Sequence, residues 1–93
     1  MTYGVFSQPV GSQSETLHFL NTTVRESLVE LGKLVSFEAF GAVPAAVIGR
    51  VLEIIEDLIA EECISKEVRI NDKFYYVRIL TEEEMLTMAK VSA

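Results

Sequence analysis

The residues able to carry chemistry in this 93-residue chain are few and scattered. Cys63 is its one cysteine and His18 its one histidine, so neither an internal disulfide nor a zinc site of paired Cys and His can be assembled. Cys63 therefore reads as a small apolar side chain. General acid–base catalysis wants titratable groups converging in a pocket, whereas Glu61, Glu62 and Glu82 to Glu84 fall at expected helix ends, where acids cap or face solvent. Ser36 has no base partner in view, and no glycine-rich phosphate loop follows a strand. The expectation is a protein that is not an enzyme and needs no metal or cofactor.

The cations suggest a different chemistry. Fourteen acids against eight Lys and Arg give a net charge of −6, which opposes general attraction to nucleic acid. The charge is unevenly spread, however. Lys66, Arg69, Lys73 and Arg78 outnumber Glu67 and Asp72 in one segment, while Arg50 stands against Glu53, Glu56, Asp57, Glu61 and Glu62 in another. Phe74, Tyr75 and Tyr76 follow one another, so on a strand at least one must face away from the core.

These residues must be positioned by local structure, and hydrophobic periodicity indicates which. Met1 to Gln13 is rich in Gly, Ser, Gln and Pro and reads as a flexible N-terminal arm. From Ser14, Leu17, Leu20, Val24, Leu28 and Leu31 recur at steps of three and four, predicting a first helix opened by Ser12 and Glu15 and stopped at Gly32. Leu34, Val35, Phe37 and Phe40 suit a short strand leading into a short helix capped by Ser36. Gly41 and Pro44 mark a turn.

Pro44 to Glu62 carries the strongest helical pattern, with Val47, Ile48, Val51, Leu52, Ile54, Ile55, Leu58 and Ile59 on one broad face. The period then changes to two: Val68 and Ile70 precede Asn71-Asp72, and Tyr75, Val77 and Ile79 follow, which predicts a β-hairpin. Thr81 and Glu84 have capping-box spacing and open a last helix, with Met85, Leu86 and Ala89 as its apolar side.

This order, and the stretch RVLEIIEDLIAEECISKEVRINDKFYYVRILTEEE, resembles the second half of winged-helix regulators of the MarR and PadR types. In those families the third helix ends in a pattern like Leu-x-x-Leu-x-x-x-Gly-Leu-Ile, a hairpin wing follows, and Leu-Thr-x-x-Gly or Leu-Thr-x-x-Glu opens a final helix. Ile55, Leu58, Cys63 and Ile64 stand at the apolar positions and Leu80, Thr81 and Glu84 at the entry. Glu62 replaces the glycine before the wing, and SFEAFGAVP stands where a fuller second helix belongs. The resemblance spans roughly residues 26–90.

It implies an α+β, mainly helical fold: a winged helix-turn-helix of three helices, a β-hairpin wing and a C-terminal helix over residues 14–93. It also implies a transcription regulator that binds double-stranded DNA, with the third helix in the major groove and the wing on the backbone. By position the contacts would be Ala45, Ala46, Gly49 and Arg50 on the helix and Lys66, Arg69, Asn71 and Lys73 on the wing. The alternative is an acidic winged-helix module that binds a protein partner and no DNA. A chain this small also favours homodimers, through its first and last helices. Without an apolar run of membrane-spanning length or a signal peptide, the expected setting is the cytoplasm.

Overall fold

A computed structural model of the chain describes residues 1–92, with side chains described as far as Thr87. Two strands, β1 (Tyr3–Pro9) and β2 (Thr16–Asn21), precede two helices, α1 (Val24–Ala39) and α2 (Ala45–Glu61). The chain continues through β3 (Val68–Ile70), β4 (Lys73–Ile79) and α3 (Glu82–Ser92). All strand pairs are antiparallel, and the four form one sheet in the order β2-β1-β4-β3.

This corrects the expected fold. The protein is an α+β domain, 45% helix and 26% strand, and is neither mainly helical nor a winged helix. The overturning element is β1, which lies where an arm was expected. Val5 pairs with Val77 of β4 on one side and Phe19 of β2 on the other, so the presumed wing is half of a sheet that the N-terminal residues complete. The expected first helix divides as well. Leu17 and Leu20 belong to β2, and Val24, Leu28 and Leu31 to α1. The helix starts where Thr23 Oγ1 accepts a hydrogen bond from the Glu26 amide at 3.1 Å, so the cap is Thr23 and not Ser12.

Gly32 does not stop α1 but lies inside it. A Cβ built there would stand 3.2 Å from Ile55 Cγ2, so the missing side chain lets α2 pack close. Ser36 also lies within α1, and its hydroxyl bonds the Gly32 carbonyl rather than capping a helix.

The core lies between one sheet face and the helix pair. Leu28, Leu31 and Val35 of α1 and Val51, Ile55 and Leu58 of α2 meet Val5, Val68, Ile70, Tyr75 and Val77 of the sheet. The alternation predicted for the second hairpin supplies four of those strand residues; Ile79 ends up exposed. On the opposite sheet face a smaller cluster joins Phe6, Tyr76 and Leu80, with Leu17 and Phe74 against it. Tyr75 and Tyr76 thus point to opposite faces, each buried.

The helix and hairpin ends follow their residues. The turn at Gly41 and Pro44 is present, with Gly41 at φ +79° and Pro44 as the N-cap of α2. Asn71 takes φ 52° at the β3–β4 turn. Glu62, where a glycine belongs by resemblance, adopts the left-handed conformation itself, at φ 51°. The Thr81–Glu84 box forms in both directions, amide to side chain, at 3.2 and 3.1 Å. Met85 and Leu86 of α3 are exposed, and the Ala89 side chain lies outside those described. Among the described residues no helix is long and apolar enough to cross a membrane.

Candidate interaction surface

The positions expected to meet DNA fall into two groups. Ala45, Ala46, Gly49 and Arg50 occupy the first turns of α2, all exposed. Lys66, Arg69, Asn71 and Lys73 lie on or beside the β3–β4 hairpin, also exposed. Arg69 is held there, its Nε donating to the Asn71 carbonyl at 3.0 Å and its guanidinium standing 5.8 Å from the Phe74 ring centre. Asn71 serves the turn with its backbone. Among the described residues no hydrogen bond or ion pair links the two groups.

Arg78, the fourth hairpin cation, is not available to a ligand. Its guanidinium donates to Glu15 at 2.8 and 3.0 Å and to Glu84 at 2.6 and 2.9 Å, and lies 4.2 Å from the ring centre of Phe6. Tyr76 donates its hydroxyl hydrogen to the same Glu15 carboxylate, and its ring stacks on Phe6 at 5.9 Å. The cluster ties the β1–β2 connection, β4 and the start of α3 together. The Arg78 guanidinium holds the Glu84 carboxyl down at about 2 and lowers that of Glu15. Burial raises the Tyr76 phenol, and its bond to Glu15 raises it further. The Arg78 donors are all answered from within the chain, so this is a structural clasp.

The other chemistry-bearing residues are likewise absorbed by the fold. His18 is the extra residue of a β2 bulge opposite Val5 and Phe6, and its Nε2 shares a 2.7 Å hydrogen bond with the buried Ser7 hydroxyl. Cys63 packs half-buried against the core, and a hydrogen bond from Ser65 lowers its thiol. Among the described residues no group of three or more His, Cys, Asp and Glu is arranged to hold a metal.

A distinct surface emerges at the α1–α2 connection. Residues 39–49, AFGAVPAAVIG, contain no charged or polar side chain. Ala39 is buried and Val43 and Ile48 half-buried, which anchors the segment, while Phe40, Ala42, Pro44, Ala45, Ala46 and Val47 are exposed. Phe40 is 84% exposed and Phe37, one turn back on α1, 80%. The backbone is held by its own bonds: Phe40 N to Ser36 O, Ala42 N and Val43 N to Ala39 O, and Val47 N to Pro44 O, at 2.9–3.2 Å. An ordered apolar tip therefore projects from a protein of net charge −6.

Sequence reasoning placed Ala45, Ala46 and Gly49 in a DNA-reading face and Phe37 and Phe40 in a short strand and helix. The signal that would have found the tip is angular. With Leu28, Leu31 and Val35 fixing the buried side of α1, Phe37 falls about 200° and Phe40 about 140° around the helix from Val35. No family model, curated protein or solved structure matches the chain.

Proposed function

We propose that this chain is an acidic protein-interaction module that docks a partner protein through the apolar tip of its helical hairpin. The observation that carries the reading is the near-complete exposure of Phe37 and Phe40, the second of them within a run of eleven residues, 39–49, without a polar side chain. Burying one large apolar side chain contributes about 1.5–3 kcal/mol, so two aromatics form a useful anchor pair. Large exposed aromatics on a rigid turn lose little entropy when covered. In this reading the module works in the cytoplasm and as a homodimer.

Its test is cross-linking and co-purification from native cells with the intact chain and with a Phe37→Ser, Phe40→Asp double variant. The intact chain should retain one stoichiometric partner, and the variant should lose it. Both side chains are exposed, so the melting curves should differ by less than about 0.5 kcal/mol in stability. Recovery of the same partner by the double variant would end the reading.

A second reading is double-stranded DNA binding, favoured by the exposed Lys66, Arg69 and Lys73 on one hairpin. Arg50 at the start of α2 would supply a further phosphate contact, with Ala45, Ala46 and Gly49 beside it. A gel-shift titration at low salt should then show binding that weakens steeply with added salt and with Lys66→Ala, Lys73→Ala. No shift at about micromolar protein sinks it.

A further inference from the structure

The apolar arcs of α1 and α2 are wider than the sheet covers. Val51, Ile55 and Leu58 are the buried row of α2, while Ile48, Leu52 and Ile59 beside them stay half-buried. On α1, Val29 lies outside the buried row of Leu28, Leu31 and Val35 and is exposed. Between the helices runs a groove open to solvent, floored by Val29, Gly32, Leu52, Ile55 and Ile59 and edged by Lys33 and Glu56. Val29, Lys33, Ser36 and Phe40 stand at steps of four, three and four. One wall of the groove therefore continues to the apolar tip, over about 17 Å or three helical turns.

We infer that this groove receives an amphipathic helix of the partner protein, its apolar face on the groove floor and its lysines or arginines against the acids of α2. The inference rests on the interaction-module reading and names the chemistry of the partner.

Charge selects the occupant. α1 and α2 carry three basic and seven acidic side chains, a balance of −4 within the −6 of the whole chain. At the edges of the groove, Lys33 is paired with Glu30 at 3.7 Å. Glu56, and Glu53 one turn before it, are exposed and have no ion-pair partner among the described residues. A cationic helix is attracted by this field. A second copy of this chain, itself at −6 and opening its last helix with Glu82, Glu83 and Glu84, is repelled by it. Geometry selects the helix. The backbones of α1 and α2 bond within themselves, so a strand finds no ladder to join, whereas the side-chain ridge of a third helix fits the seam between two packed ones.

Fluorescence anisotropy tests the inference, with a labelled synthetic peptide built on the repeat Leu-Lys-Lys-Leu-Leu-Lys-Leu. The intact chain should bind it with a Kd on the order of 10 μM. It should bind the Leu/Glu counterpart, and a Leu/Lys peptide of equal composition with its leucines spread around the helix, at least about tenfold more weakly. Val29→Arg puts a cation in the groove and should weaken binding at least about tenfold. Glu56→Lys, at an exposed position, should weaken it at least about fivefold and carries the test if Val29→Arg does not fold. Glu67→Lys makes the same change of charge beside β3 and should alter binding less than about twofold. No binding at about 100 μM, equal binding of the shuffled peptide, or equal losses from Glu56→Lys and Glu67→Lys overturns the groove and leaves the tip to its own co-purification test. A partner lost by Phe37→Ser, Phe40→Asp yet retained by Val29→Arg also overturns the groove alone. One retained by both variants ends both readings.

Discussion

Arg78 joins the chemistry of four segments in one side chain. Four of its hydrogen bonds go to two carboxylates from opposite ends of the chain, a fifth goes to the Ile79 carbonyl, and its flat face covers Phe6. Arg78→Met should keep part of the packing and lose the charge. That leaves Glu15 and Glu84 near each other without a cation, and a destabilisation on the order of 1 kcal/mol is expected because the group is partly solvated. The pH dependence has a definite sign. Glu84 titrates at about 2 in the folded protein against 4.5 for the free side chain, and Glu15 is also lowered. Carboxyls depressed in the folded state contribute stability above their unfolded pKa and lose it as pH falls through the folded one. Chemical denaturation of the intact protein should therefore show stability declining from about pH 4.5 towards pH 2. In Arg78→Met that decline should flatten, and an unchanged slope would mean that the clasp is not the source.

At the scale of elements, α2 shows how packing overrides local preference. Its last turn bears Glu61 and its cap is Glu62, acids at the end of the helix where the dipole favours cations. Glu62 also occupies the left-handed region, in which a side chain costs about 1–2 kcal/mol relative to glycine's free access. It stays because the Glu62 amide bonds Ile59 O at 3.2 Å and the Cys63 amide bonds Leu58 O at 3.0 Å, fixing the exit towards β3. Glu62→Gly should accordingly raise stability by about 1 kcal/mol, read as a higher denaturation midpoint with an unchanged slope. α2, the β3–β4 hairpin and the Thr81–Glu84 cap are all legible in the sequence, because each has one clean period or one unambiguous local bond. The N-terminal third is not. Leu17 and Leu20 happen to be three apart and run in step with Val24, Leu28 and Leu31, so a strand, a boundary and a helix read as one helix. Two segments share the same capping spacing, Ser12 with Glu15 and Thr23 with Glu26, and only the sheet decides between them. The apolar tip escaped for a related reason, since hydrophobic residues at a turn read as core until the buried side of α1 is known.

At the scale of the whole molecule, β1 decides whether there is one sheet or two unsupported hairpin halves. It lies between β2 and β4, contributes the fully buried Val5 to the main core and stacks Phe6 on Tyr76 on the other face. Its removal would leave β2 with no strand neighbour and expose one side of β4. A short β3–β4 ribbon under two helices would remain, too small a core for a chain of this length. Deletion of residues 1–9 should therefore abolish cooperative thermal unfolding, whereas trimming a mobile arm would leave the melt intact. The deleted segment MTYGVFSQP contains no Asp, Glu, Lys or Arg, so the side-chain charge is the same before and after. Loss of the transition thus reports on strand pairing and burial rather than on a change of charge repulsion. A truncated chain that still melts cooperatively, with its near-ultraviolet tyrosine signal preserved, would show that the helices and the β3–β4 hairpin hold together unaided. The expected result is the opposite, because the two faces of β1 join the N-terminal hairpin to the helix pair on one side and to the aromatic cluster of β4 on the other.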